Sequence, residues 1–168
     1  MHSIPAIPRC VVTGQHSGRS TIISDRTITN HFEPMPGLVI SDIWVTDTMP
    51  VALNKRASPE NTLFPNTPKN GSYFRYVFIP PDSEEKNSSK TEHLQQKSPH
   101  PLMHRTGSLE YVIILSGELY LILDEGETLL KPGDIVVQLG SHHAWSNRSD
   151  KPCVQVAILL DAKIENAV

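Results

Sequence analysis

Apolar residues in this chain fall in short bursts, each too brief for a long helix and each bounded by turn-forming residues. The last third is the most regular. Residues 111–115, 118–123, 127–130, 135–139, 144–146 and 154–160 read as strands, separated by Ser116-Gly117, Asp124-Glu125-Gly126, Pro132-Gly133-Asp134, Gly140-Ser141 and Ser149 to Pro152. Earlier in the chain, 10–13, 20–24, 38–46 and 73–79 are rich in Val, Ile, Thr or aromatic residues and predict four further strands. Strands at this spacing predict an antiparallel sandwich or barrel, and the absence of a repeat of about 20–50 residues excludes a propeller or solenoid.

Proline sharpens the division. Twelve of the 14 prolines precede residue 102 and punctuate segments too short to hold long helices, as in Glu33-Pro34-Met35-Pro36-Gly37. Between Pro80-Pro81 and Pro99 the chain is almost wholly polar, with Leu94 its single large apolar residue. This stretch, 81–99, predicts a flexible surface excursion; a lid over a pocket is the sharper reading. The expected organisation is one domain over 1–168, with N-terminal strands and loops at 1–80 and a core at 100–162.

Composition narrows the function. A length of 168 residues suits one core without a disulfide or metal staple. Two cysteines, Cys10 and Cys153, make no disulfide framework and fit a reducing compartment. A net charge of −3 with scattered signs offers no footprint for nucleic acid or anionic lipid. No apolar run approaches the roughly 18–20 residues of a membrane span, and the first residues lack a basic start and an apolar h-region. A cytoplasmic protein acting on a small molecule, with no nucleic-acid or membrane partner, is the expectation.

Histidine is the one positive signal. Four of the eight, His100, His104, His142 and His143, fall within 100–143. On one straight strand His104 and Glu110 would lie about 20 Å apart at ~3.3 Å per residue, too far to share an ion. Gly107-Ser108 allows a turn that brings the two to one side of a sheet. Thr106 shares the parity of His104 and should point into the same space. Adjacent strand residues face opposite ways, so at most one of His142 and His143 reaches the interior, accompanied by Trp145 if it is His143. Two imidazoles and a carboxylate suit Fe2+ first, then Mn2+ or Zn2+, with open positions for substrate or dioxygen. Scattered histidines that merely satisfy polar groups remain the simpler alternative.

The order of these residues resembles the cupin superfamily. Its first motif reads Gly, five residues, His-x-His, three or four residues, Glu, six residues, Gly; here His104, Glu110 and Gly117 take the first His, the Glu and the closing Gly. Its second reads Gly, five residues, Pro-x-Gly, two residues, His, three residues, Asn; here Gly133, Gly140, His143 and Asn147 match. Fifteen residues, 118–132, separate the motifs. The resemblance implies an all-β double-stranded β-helix, or jelly-roll barrel, with a strand-rich N-terminal extension. Ser98 stands at the opening Gly, Thr106 at the second His, and Gln138 at the motif-two Pro with the gap one residue short. Of these only Thr106 is expected to touch chemistry, since it removes a family metal ligand.

The resemblance implies a site inside the barrel, with His104, Glu110 and His143 as metal-holding and catalytic residues. Thr106, Trp145, Tyr111, Tyr120, His100 and His142 are the candidates for the pocket around them. The leading expectation is metal-assisted oxidation or oxygenation of an aromatic or polyketide-like metabolite. With Thr106 in place of a ligand, metal-free isomerisation, cyclisation, dehydration or decarboxylation by His and Glu is the alternative. A non-catalytic binding cupin is the third reading. Small cupins imply a homodimer.

Overall fold

The computed structural model describes residues 8–53, 67–82 and 99–163. Its elements are β1 (Arg9–His16), β2 (Arg19–Thr27), β3 (Phe32–Met35), β4 (Leu38–Thr46), β5 (Ser72–Ile79), β6 (Ser108–Ser116), β7 (Leu119–Leu123), β8 (Gly126–Leu130), β9 (Ile135–Leu139), β10 (His143–Ser146) and β11 (Cys153–Asp161). The architecture is the antiparallel all-β barrel that the strand spacing predicts, with the jelly-roll form that the resemblance implies.

Two sheets face each other. One has six strands in the order β3-β4-β5-β11-β6-β9, the other three in the order β10-β7-β8, and every pairing is antiparallel. The inner face of β6 presents Ser108, Glu110, Val112 and Ile114, while β11 presents Cys153, Gln155, Ala157 and Leu159. Between the sheets, Val112, Ile114, Leu119, Leu121, Leu130, Tyr73 and Val77 form the apolar core. Period-two alternation in the sequence therefore becomes a buried face and an outer face.

Gly117 turns β6 into β7 with φ of 75°, and a Cβ there would lie 2.4 Å from the Pro152 carbonyl oxygen. Only glycine allows both the positive φ and that close approach. Ser17 and Gly18, both at positive φ, close the β1–β2 hairpin.

The N-terminal strands divide. β1 and β2 form a separate two-stranded ribbon, whereas β3, β4 and β5 enter the large sheet, with β5 against β11. The Pro-rich segment 33–37, absent from the strand expectations, overlaps β3, which pairs with β4 at Phe32↔Ile40 and Met35↔Leu38. β3 is an edge strand, where the missing N–H of Pro34 costs no ladder bond to an outer neighbour. From 83 to 98, the polar excursion expected at 81–99 lies outside the described residues. No helix among the described residues is long and apolar enough to cross a membrane. Cys10 and Cys153 are both free thiols.

Candidate functional site

Glu110 sits on the inner face of β6 and is 6% exposed. The register of β6 with the edge strand β9 sets Gln138 directly opposite it. Cross-strand partners share a face, so the Gln138 amide, 3% exposed, also points inward. Its Nε2 lies 3.3 Å from Glu110 Oε2 and 3.2 Å from His143 Nε2. The other carboxylate oxygen, Oε1, accepts from Ser108 Oγ at 3.1 Å and from Thr106 Oγ1. A buried carboxylate thus receives three protein donors, as burial of a charge requires.

His143 opens β10 and is 1% exposed. Its Nδ1 lies 2.9 Å from the Ser141 carbonyl oxygen, which can only accept, so Nδ1 carries the proton and Nε2 presents a lone pair to the Gln138 amide. That fixes the amide orientation too: turned over, Gln138 would set an acceptor against two acceptors. The cost falls on Gln138 Oε1, which is buried without a hydrogen-bond partner among the described residues. Burial pushes the His143 pKa below its ordinary 6.5, and the bond that Nδ1 donates to the Ser141 carbonyl opposes it.

His104 reaches the same place from the segment before β6. It forms an isolated antiparallel bridge with His143, the two backbones exchanging bonds of 2.8 and 2.9 Å. The imidazoles lie 4.3 Å apart between centroids, tilted by 52°. The Leu102 carbonyl holds His104 Nδ1 at 3.0 Å, so this ring also carries its proton on Nδ1 and keeps a lone pair on Nε2. Unlike His143, His104 is exposed. Trp145, partly buried against the core, sets its ring edge-on to His143 at 5.7 Å.

The fold thus gathers His104, Thr106, Glu110, His143 and Trp145. The four other candidates lie elsewhere. Strand alternation turns Tyr111 outward, 37% exposed, and sends His142 to the surface, where Nδ1 lies 2.8 Å from Asp124 Oδ1. Tyr120 lies on the opposite face of β7 from Leu121, its ring 4.2 Å from the guanidinium carbon of Arg148, which pairs with Glu127. His100 belongs to that same outer group. Its pKa is lowered by burial, with the charge of Asp82 opposing and that of Arg148 adding.

Two groups escape sequence reasoning. Ser108 has the parity of Glu110 and Thr106, a signal that could have found it. Gln138 was visible only as a missing proline; contrary to expectation, this departure touches the chemistry as directly as Thr106 does, because strand register sets it against Glu110. Deeper in the barrel, Arg75 Nε binds Asp42 Oδ1 at 2.7 Å, both side chains 4% exposed or less, and its guanidinium carbon is 3.9 Å from the Tyr73 ring centroid. A groove of about 560 Å3 on the β1–β2 hairpin, lined by Gln15, His16 and Arg19 among others, contains none of these groups.

The donor set is ambivalent toward a metal. Two imidazoles with Nδ1 pinned by carbonyls and Nε2 left open are what a metal ligand pair needs. Yet among the described residues no three His, Cys, Asp or Glu side chains are arranged to hold an ion. The Gln138 amide fills the gap between Glu110 and His143, so the side chains as placed do not fit a divalent cation.

Comparison with known proteins supplies the context. The cupin domain family (Cupin_2) matches residues 91–159. Over 154 residues, 87% of this chain and 68% of the relative, it is 32% identical to the cupin-domain-containing oxidoreductase fogC of Aspergillus ruber. A 49-residue stretch, 29% of this chain, is 55% identical to phomopsin biosynthesis cluster protein D of Diaporthe leptostromiformis, and covers only 26% of that protein. Similarly, 65 residues are 43% identical to the cupin-domain-containing oxidoreductase virC of Hypocrea virens, 36% of this chain and 34% of the relative. Among solved structures, a Cupin 2 conserved barrel protein from Salinispora arenicola aligns at 22% identity and a TM-score of 0.42, covering 64% of this chain and 74% of that one. The fungal match, extending over most of both chains, identifies this protein as a member of the cupin superfamily.

Proposed function

We propose that this cupin is a small-molecule enzyme of secondary metabolism that transfers a proton at His104. The observation that carries the reading is the Gln138 amide joining Glu110 to His143 at 3.3 and 3.2 Å. It occupies the buried histidine's lone pair and leaves that of the exposed His104 for substrate. His104 Nε2 takes the proton, and the Leu102 carbonyl holds the opposite edge of the ring so that its tautomer is fixed. Behind it, His143 stays neutral and braces the ring, with the Glu110 carboxylate beyond supplying negative charge as His104 becomes cationic. Trp145 gives the neighbouring wall an aromatic surface, which suits a phenolic or enolic substrate. Relatives named for phomopsin and oryzine biosynthesis clusters support a place in such metabolism.

Metal-assisted oxidation is the second reading. It is favoured by the two pinned histidine tautomers and by the relatives named oxidoreductases. One experiment separates the two. Chelator-treated protein is incubated in heavy water with acetylacetone and with phloroglucinol, and carbon–hydrogen exchange is followed by NMR. Proton transfer predicts catalysed exchange without metal, reduced about a hundredfold or more in His104→Gln. An oxidised product that forms only with added Fe2+ or Mn2+ in air, dioxygen taking the electrons, assigns the site to the second reading. Binding without exchange or oxidation leaves a non-catalytic cupin.

We further propose that a second copy of the chain covers the outer face of the large sheet. Trp44, Phe74, Ile158, Tyr111 and Val137 stand in register across five strands, flanked by Ile135 and Leu139 on the edge strand β9. Leu139, Ile135 and Val137 are 81%, 68% and 56% exposed, and Leu115, Phe74 and Tyr111 are also exposed. Together these six expose on the order of 600 Å2, at the top of what monomers leave open and close to the ~800 Å2 that each partner gives a standard interface.

A further inference from the structure

Both chemically relevant departures from the family pattern converge on one carboxylate. Thr106, standing where a second histidine would be, donates to Glu110 Oε1; Gln138, standing at the motif-two proline, donates to Oε2. A histidine at 106 would offer a cation an imidazole lone pair; threonine offers the carboxylate a proton instead. Gln138 does the same for the other oxygen and for His143 Nε2.

We infer that Gln138 fills, with its amide nitrogen, the position from which a divalent cation would bridge Glu110 and His143, and so keeps metal out of this barrel. The reasoning is electrostatic. A carboxylate oxygen and an imidazole lone pair both need positive charge between them. In this chain two N–H groups of one amide supply it as partial charge, at hydrogen-bonding distance from both acceptors. Admitting a cation requires that amide either to leave or to turn its oxygen inward, and both break the two bonds it makes. The buried Gln138 Oε1, without a partner among the described residues, marks the same commitment: the side chain leaves its carbonyl unbonded to them while pointing its donors at Glu110 and His143. This inference deepens the proton-transfer reading, and rests on it only in treating these residues as the working site.

The test is metal affinity, read without any substrate. Zn2+ and Mn2+ are titrated calorimetrically into the chelator-treated full chain, its Gln138→Ala variant and its Gln138→Met variant, with circular dichroism and thermal unfolding as folding controls. Methionine fills the volume without a proton donor, so it answers the question if the alanine variant does not fold. Exclusion predicts that both variants bind Zn2+ tighter than the parent by about tenfold or more, and that adding His143→Ala abolishes the gain. Equal affinity in parent and variants overturns the inference. Weaker binding in the variants also overturns it, since Gln138 would then be a ligand. Because the readout is heat of metal binding, it fails or succeeds independently of the exchange assay, which judges the proton-transfer reading on its own.

Discussion

His104 and His143 exchange two backbone hydrogen bonds, of 2.8 and 2.9 Å, and lay their imidazoles 4.3 Å apart, one exposed and the other sealed in the barrel. The bridge joins the segment before β6 to the start of β10, so two distant stretches of chain build one site. It also sets up an asymmetry: the pair has one ring for solvent or substrate and one for structure.

That asymmetry has a pH signature. Burial pushes His143 below its ordinary pKa of 6.5; the Ser141 carbonyl and Glu110 pull it upward, while His104 and His142 push it further down. The unfolded chain therefore takes up a proton at a pH where the folded chain does not. Stability is unaffected well above 6.5 and falls as pH drops below it, until the folded pKa is reached. The urea midpoint should be lower at about pH 5.5 than at about pH 7.5, and the drop should be smaller in His143→Gln. His100, also lowered by burial, contributes a remainder of the same sign. A pH-independent midpoint across this window would contradict the assignment.

Thr106 should matter to the fold through Glu110. Thr106→Val removes one of three donors to a buried carboxylate, and should lower unfolding free energy by about 1.5–3 kcal/mol. Thr106→Ser keeps the hydroxyl and should recover most of it. Chemical denaturation of both variants measures the difference; a larger loss in Thr106→Ser than in Thr106→Val would show that the methyl group, not the hydroxyl, carries the effect.

The Asp42–Arg75 pair lies inside the barrel with both side chains almost fully buried. Arg75→Met takes from the buried Asp42 the guanidinium it pairs with and should cost about 3–5 kcal/mol. The double variant Arg75→Met, Asp42→Leu should lose much less than the sum of the single changes, because both halves of the pair are then gone. Additive losses in a double-mutant cycle would count against this.

The outer sheet face makes a prediction about mass. Light scattering coupled to size exclusion should give the mass of two chains for the parent and of one for Val137→Lys, Leu139→Lys, since both side chains point outward and carry no core packing. A monomeric parent at micromolar concentration would remove the second copy from the account.

Much of this was legible in the chain. The strand bursts, the turn residues and the spacing of His104, Glu110, Gly117 and His143 are local features. Alternation along a strand is enough to say that Glu110 and Tyr111, or His142 and His143, face opposite ways. It also gave Thr106 the side of Glu110 correctly. The same local logic left β3 off the strand expectations, because a proline is excluded from central strands but tolerated at an edge, and position in a sheet is not written beside the proline.

By itself, then, the sequence determined an antiparallel sandwich or barrel, since turn chemistry and period-two patterning act over a few residues, and its motif spacing carried the resemblance that implies a jelly roll with two histidines around an acid. Only the tertiary structure decided what surrounds that acid. Gln138 meets Glu110, Asp42 meets Arg75, and Tyr111 joins Val137 on an outer face through the register between strands far apart in the chain. Register is settled by the burial of whole faces at once, so no single segment carries it, and the amide that occupies the centre of this site became visible only when the strands were laid side by side.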